Sequence, residues 1–247
     1  MRPLADYHTH TRWSHASGSI EDNLRAAEEM GLRELGIAEH GPNLLFVGVP
    51  RRRWFRLRRA VAATPGINTR LLFNIEANII SLDGELDIPS EVVEALDMVL
   101  VGLHPRIVPR GLPDWWAYYP RRYMALFSRR QRHLLYDSFT QAVVRCVERN
   151  PVDIVVHPGY GLPIDSRELA RACARRGTRM EINCRHTAES AGDIQRAAQI
   201  PELEFVIGSD AHSPQAVGKF EAGFRLVQGL GIERERVVNV DWQDNSH

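Results

Sequence analysis

"DMVLVGLH", residues 97–104, decides which fold this chain adopts. Its apolar side chains follow one another almost without a polar break. A strand with one face in water alternates apolar and polar residues. A run that is apolar nearly throughout fits a parallel strand buried on both faces. Six further runs share this character: "LADYH" (4–8), "ELGIAEH" (34–40), "LLFNIEAN" (71–78), "VDIVVHP" (152–158), "TRMEIN" (178–183) and "LEFVIGSDAH" (203–212). Helical patterns lie between them. One spans 20–30, opened by Ser19 with Asp22 three residues on and closed by Gly31, with Ile20, Leu24, Ala27 and Met30 on one face. A second begins near Asp165 and ends at Gly177, and a third begins at Ser213-Pro214. Strand and helix alternate seven times. The expected class is α/β with parallel strands, either a barrel or a doubly wound sheet. The chain has no Gly/Ser-rich linker, low-complexity tract or repeat, so one domain is the simplest organisation.

Composition narrows the function. The chain has 247 residues, 44% of them hydrophobic, enough for a substantial core. No apolar run approaches the length of a membrane span, and no apolar stretch follows the first charge as in a signal peptide. Cys146, Cys173 and Cys184 form no CxxC pair and read as reduced thiols. The expected location is therefore the cytoplasm, with no membrane partner. Zero formal net charge argues against a general polyanion binder. Of the 31 basic residues only Lys219 is lysine, so lysine chemistry has almost no candidates.

The ends of the seven runs share a second property. The first ends in His8, with His10 just beyond and His15 close after. The others carry Glu39-His40, Glu76, His104, His157, Asn183, and Asp210-Ala211-His212. In a parallel barrel the C-terminal strand ends meet at one face, which holds the active site. A lone strand-end histidine is more often a hydrogen-bonded core residue than a ligand. Seven of the ten histidines at or just after such ends is another matter; His133, His186 and His247 follow no such rule. His8 and His10, two apart on a strand, point the same way. Imidazoles with carboxylates from Glu76 and Asp210 suit zinc, manganese or iron. Nine donors exceed the needs of one ion and point to two or three.

The motifs "DYHTHTRWSHASGSIEDN", "GIAEHGP", "FNIEANII", "VGLHP", "VVHPGY" and "GSDAH" resemble, in order and over roughly 4–240, those of the PHP (polymerase and histidinol phosphatase) family. The likeness is to its stand-alone bacterial phosphoesterases. It implies a distorted seven-stranded parallel (βα)7 TIM-like barrel and a single PHP domain over 1–247, with an extended loop and helix insertion at about 105–150. It also implies three divalent metal ions. His8, His10, Glu76 and Asp210 would hold one; Glu76 would bridge to a second held by His104 and His157; His15, His40 and His212 would hold the third. Glu39 stands where the family usually has Asp, and is expected to orient His40.

The expected reaction is in-line attack of a metal-bound hydroxide on a small phosphomonoester. Glu76, Asp210 and Arg185 are the candidate catalytic residues, and Arg185, His186 and Arg106 would bind substrate. Most of the arginine-rich stretches 51–59 and 105–135 read as solvated helices; Arg106 and Trp115-Trp116, near the loop start, are the exceptions expected to form a funnel or lid that attracts phosphate. Narrower or rival readings are a histidinol-phosphate phosphatase, an exonuclease or nucleotide phosphoesterase acting on nucleic acid, and a non-catalytic metal-binding module. An amidohydrolase of the kind that needs a carboxylated lysine fits poorly, because Lys219 follows the last motif in an expected helix.

Overall fold

The computed structural model describes residues 1–243; His247 lies outside them. Near the N-terminus β1 (Arg2–Pro3) precedes β2 (Ala5–Thr9). Then follow β3 (Glu34–His40), β4 (Arg70–Asn78), β5 (Met98–Gly102), β6 (Ile154–Val155), β7 (Arg179–Asn183), β8 (Phe205–Gly208) and β9 (Val240–Asp241). Strands β2 to β8 pair in parallel, each with the next in chain order. A doubly wound sheet would reverse that order at a switch point. Here the first and last strands meet instead: Thr9 bridges Ala211, and His10 N–H donates to the Ala211 carbonyl at 2.9 Å. The sheet is a nearly closed seven-stranded barrel. β1 and β9, not anticipated from the sequence, form a separate antiparallel pair. Two residues each give such a pair too little pattern to read.

The lumen is filled in two layers of opposite character. Ala38, Leu100, Ile154, Val156 and Val206 form a small apolar cluster, backed by Tyr7 and Met98. Above it, towards the C-terminal strand ends, the inward positions turn polar. A larger apolar cluster lies outside the strands, where the helices pack. Burial on both faces explains why the strands read as continuous apolar runs.

Helix α1 (Ile20–Glu29) has the expected capping box between Ser19 and Asp22. Met30 caps its C-terminus and is 37% exposed, so it falls off the apolar face. α2 (Arg51–Ala62) buries Trp54, Leu57 and Val61 and leaves most of its arginines in water. A single turn, α3 (Ser90–Val93), precedes β5. α4 (Leu112–Trp116) continues through a π-helical turn at Ala117–Arg121 into α5 (Arg122–Met124), and α6 (Arg129–Arg149) returns to the barrel. α7 (Ser166–Arg176) runs from its Asp165 cap to Gly177, as expected, and α8 (Thr187–Ala197) follows β7. The helix expected from Ser213-Pro214 is only a 3-10 turn, Pro214–Ala216. Gly218, at φ 69°, turns the chain out of helical conformation, and α9 begins later, at Glu221–Leu230. Lys219 thus lies on a connector, not in a helix. No helix among the described residues is long and apolar enough to cross a membrane.

The 105–150 segment is anchored to the barrel by Tyr118. Its ring is fully buried, 5.0 Å from Phe139 of α6, and its hydroxyl donates to the Ile79 carbonyl at 2.6 Å. Tyr118→Phe keeps the packing and leaves that carbonyl without its partner. It should lower unfolding stability by about 1–2 kcal/mol in urea titration. No change would mean that the hydroxyl does not hold the segment down.

Candidate metal centre

Every strand of the barrel delivers a polar side chain to one end. β2 carries His8, with His10 one residue past its end and His15 in the following loop. β3 ends on His40, and β4 carries Glu76. His104, His157 and Asp210 each lie two residues beyond β5, β6 and β8. Their rings form one connected cluster. Centroids lie 5.0 Å apart for His8–His10, 4.3 Å for His10–His40, 5.1 Å for His15–His40, 4.4 Å for His15–His212 and 5.0 Å for His104–His157.

Glu76 sits at the middle and is fully buried. Its Oε1 meets His157 Nε2 at 2.7 Å and His104 Nε2 at 3.0 Å. Its Oε2 faces His40 Nδ1 at 2.5 Å, His8 Nε2 at 3.6 Å and His10 Nε2 at 3.7 Å. Asp210 Oδ1 closes the other side, 3.4 Å from His10 Nε2 and 3.8 Å from His8 Nε2. Three donor triads have their atoms within 4.8 Å of one another: His8–His10–Glu76, His40–Glu76–His104 and His10–His40–His212. His40 belongs to two of them, so the geometry does not divide the donors into separate sets.

The donors fit a divalent cation. Glu76 Oε2 and His40 Nδ1, though 2.5 Å apart, lack hydrogen-bond geometry, and both remain buried without a partner. His10, His104 and His157 each also bury an unpartnered Nδ1. Such atoms ordinarily cost about 1–3 kcal/mol each. Glu76 Oε2 and His40 Nδ1, buried side by side with no hydrogen bond between them, are donor atoms that cations in the cluster would satisfy. Protonation agrees. Burial opposes charge on Glu76, but His40, His104 and His8 hold its carboxyl well below the usual range. Burial likewise opposes charge on Asp210, which His8 and His10 hold low. Burial, with neighbouring imidazoles, pushes His10 well down and His15 down to about 4. Burial also lowers His104 and His212. Ionised carboxylates and neutral imidazoles are the forms that bind metal. His8 and His157 depart from this. Burial works against their charge, but Glu181, Asp210 and Glu76 raise His8, and Glu76 raises His157.

Residues that the strand-end pattern did not single out hold the donors in place. Glu181, inside β7, accepts His8 Nδ1–H at 2.8 Å, which leaves Nε2 facing the cluster. Its other oxygen accepts the His157 backbone N–H and the Asn183 amide, each at 2.8 Å. Gly208 makes room for it: a Cβ there would stand 1.9 Å from Glu181 Oε1. Asp6 accepts the backbone N–H groups of Ser209 and Gly218 at 3.2 and 2.9 Å, and burial pushes its carboxyl up to about 6. Asn23 of α1 donates to the His10 carbonyl at 3.0 Å. His157 and Asp210, neither of them glycine, take left-handed backbone angles, φ 31° and 51°. Strain of this kind gathers at functional sites.

Glu39 differs from expectation. It does not orient His40. It accepts Thr11 N–H at 2.9 Å and the hydroxyls of Thr11 and Ser14, and lies 4.0 Å from His10 Nδ1. Successive strand residues point to opposite sides, so Glu39 pins the loop that carries His15. Arg185 and His186 do reach the cluster. Arg185 Nη1 contacts His212 Nδ1 and lies 4.0 Å from Asp210 Oδ1; His186 Nε2 lies 3.5 Å from Asp210 Oδ2. The Asn183 side chain fixes their turn by accepting both backbone N–H groups, at 3.0 and 3.1 Å. Tyr160, overlooked in the sequence although it lies in "VVHPGY", stacks on His186 with centroids 3.8 Å apart. Arg106 is exposed; among the described residues its side chain makes no hydrogen bond or ion pair with the cluster.

A barrel with a histidine-carboxylate cluster at its C-terminal mouth defines a class of metal-site proteins. The PHP domain model matches residues 6–150, and the chain belongs to the PHP domain family. It is 30% identical to a probable phosphatase of Shewanella loihica, over 97% of this chain and 90% of that protein. It is 26% identical to one from Clostridium novyi, over 98% and 92%. The histidinol phosphate phosphatase of Lactococcus lactis, solved with zinc, L-histidinol and phosphate, shares the fold. Its TM-score is 0.59 at 13% identity, covering 94% of this chain and 95% of that one.

Glu181→Gln should weaken the hold on His8 and lower metal affinity by about 10–100-fold, measured by competition with a chromogenic chelator, with circular dichroism unchanged. Wild-type affinity in the variant would remove Glu181 from the support of the site.

Proposed function

We propose that this PHP phosphoesterase hydrolyses a small phosphomonoester at a site holding three divalent ions, zinc, manganese or iron. The observation that carries it is the fully buried Glu76 carboxylate ringed by His8, His10, His40, His104 and His157. His8, His10, Glu76 and Asp210 would hold one ion, Glu76, His104 and His157 a second, and His15, His40 and His212 the third. Divalent ions there supply Lewis-acid charge that acidifies water and neutralises phosphoryl oxygens.

The chain's own residues do the rest. Glu76 and Asp210 hold negative charge at fixed points between the imidazoles. Arg185, anchored by the Asn183 turn, sets a guanidinium over Asp210 and His212, where it can bind two phosphoryl oxygens side by side. His186, braced on Tyr160, turns its Nε2 to the same edge and orients the ester. Arg106 contributes from the rim, by attraction over distance. The reading treats 1–247 as one cytoplasmic domain with 105–150 as its insertion. The zinc and phosphate in the Lactococcus protein support the choice of metal and ester; its L-histidinol makes a histidinol-phosphate phosphatase the narrower form.

One feature favours a nuclease as second reading. Trp115, Trp116, Tyr123 and Phe127 are 47–78% exposed, interleaved with arginines. Aromatic rings beside arginine stack single-stranded bases. Binding of an oligonucleotide that falls steeply with salt would support this reading, and indifference to salt would exclude it.

Protein purified without chelator should contain about three metal ions per chain by elemental analysis, and Glu76→Ala should lose most of them together with phosphatase activity. Activity that survives both Glu76→Ala and Asp210→Ala would overturn the mechanism. Arg185→Ala should lower kcat/KM for phosphate esters by about 10–100-fold, the loss of a charge-assisted bidentate contact. Unchanged kinetics would make Arg185 a structural residue only.

A further inference from the structure

A pocket of about 390 Å³ opens beside Asp210 and His212. Arg185, Ser213 and Lys219 also line it. Water's share of liquid volume is about 30 Å³, so the pocket exceeds what one small anionic group fills. Its charge is one-sided. The single acid in its wall, Asp210, already faces His8 and His10. Arg185 stands at the boundary between pocket and metal cluster. Lys219 is exposed, and among the described residues its ammonium forms no ion pair or hydrogen bond.

The lysine is presented by a braced turn. Ala216 N–H donates to Ser213 at 3.0 Å, Lys219 N–H to Ala216 at 3.2 Å, and Gly218 N–H to the buried Asp6 carboxylate at 2.9 Å. Asp6 also holds Ser209, at the end of β8, so the turn and the Asp210 strand end share one anchor. A cation fixed in this way binds without ordering its backbone first. Lysine carries a compact point charge with three rotatable donors, which suits a carboxylate or a phosphate.

We propose that this pocket is the subsite for a second anionic group, and that the substrate is a small phosphomonoester bearing an additional carboxylate or phosphate. The proposal rests on the phosphomonoesterase reading. With the reacting phosphoryl at the metal cluster, the remainder of the ester passes Arg185 and meets Lys219. A neutral or apolar tail would gain nothing from that ammonium, whereas an anionic one would.

The test uses the full chain loaded with zinc or manganese, in two arms. The carboxylate arm compares 3-phosphoglycerate with glycerol 3-phosphate. The phosphate arm compares fructose 1,6-bisphosphate with fructose 6-phosphate. The wild type should prefer the doubly anionic member of at least one pair. Lys219→Gln should reduce that preference in kcat/KM about tenfold, chiefly through KM, and Lys219→Arg should restore most of it. No preference in either arm, or a preference that Lys219→Gln leaves intact, overturns the subsite. Should the wild type hydrolyse none of the four, calorimetry separates the two ideas. Tighter binding of the doubly anionic member of either pair, lost in Lys219→Gln, keeps the anionic subsite while the phosphomonoesterase reading falls. Equal binding within both pairs overturns the subsite as well.

Discussion

The Glu76 carboxylate is buried at the mouth of the barrel, and the rest of the site is arranged around that one charge. An ionised carboxylate removed from water is tolerated only where it is paired. Five imidazoles approach it from four other points of the chain, and each comes from a strand or strand end set in register by the barrel. The pairing needs parallel strands, because only then do all the C-terminal ends arrive at the same place. The fold and the site are thus one constraint seen twice.

The supporting groups show how the arrangement stays rigid. Glu181 alone links His8, the backbone at His157 and Asn183. Asn183 passes the connection on to the Arg185–His186 turn, and its amide also reaches Asp210 at 3.4 Å. The polar upper layer of the lumen is therefore a network in which most groups have a named partner. A half-satisfied network would be worse than an apolar one. Glu76 Oε2 and His40 Nδ1 are unpartnered within this network, and a cation would complete them; His10, His104 and His157 turn Nε2 to the carboxylates and leave Nδ1 unpartnered.

The rim is built differently from the centre. Arg185, Lys219, the aromatic helix at 112–124 and the exposed Phe46 come from connections rather than strands. Strand ends can carry the metal donors because their spacing is set by the sheet. Loops can carry substrate-facing groups because they vary without disturbing the barrel.

Much of this was legible in the sequence, for a physical reason. Two-sided burial writes parallel strands as continuous apolar runs, and a histidine or carboxylate closing such a run stands out against them. The runs and the nine candidate ligands were visible that way, and the Ser19 and Asp165 caps by a capping residue placed before a helical period. What the sequence could not determine depends on direction and proximity. Barrel or open sheet turned on whether Thr9 meets Ala211. The glutamate in the middle of "TRMEIN" does not close its run, so the strand-end pattern passes over it, and only the lumen brings Glu181 against His8. Glu39 is next to His40 in the chain, yet the strand's alternation sends it to Thr11 and Ser14. Ser213-Pro214 has the local signature of a helix start, and the turn at Gly218 overrides it, leaving Lys219 on a connector that lines a pocket with Asp210 and His212. Local chemistry is written residue by residue, but which side chains meet across the barrel is set only when the sheet closes.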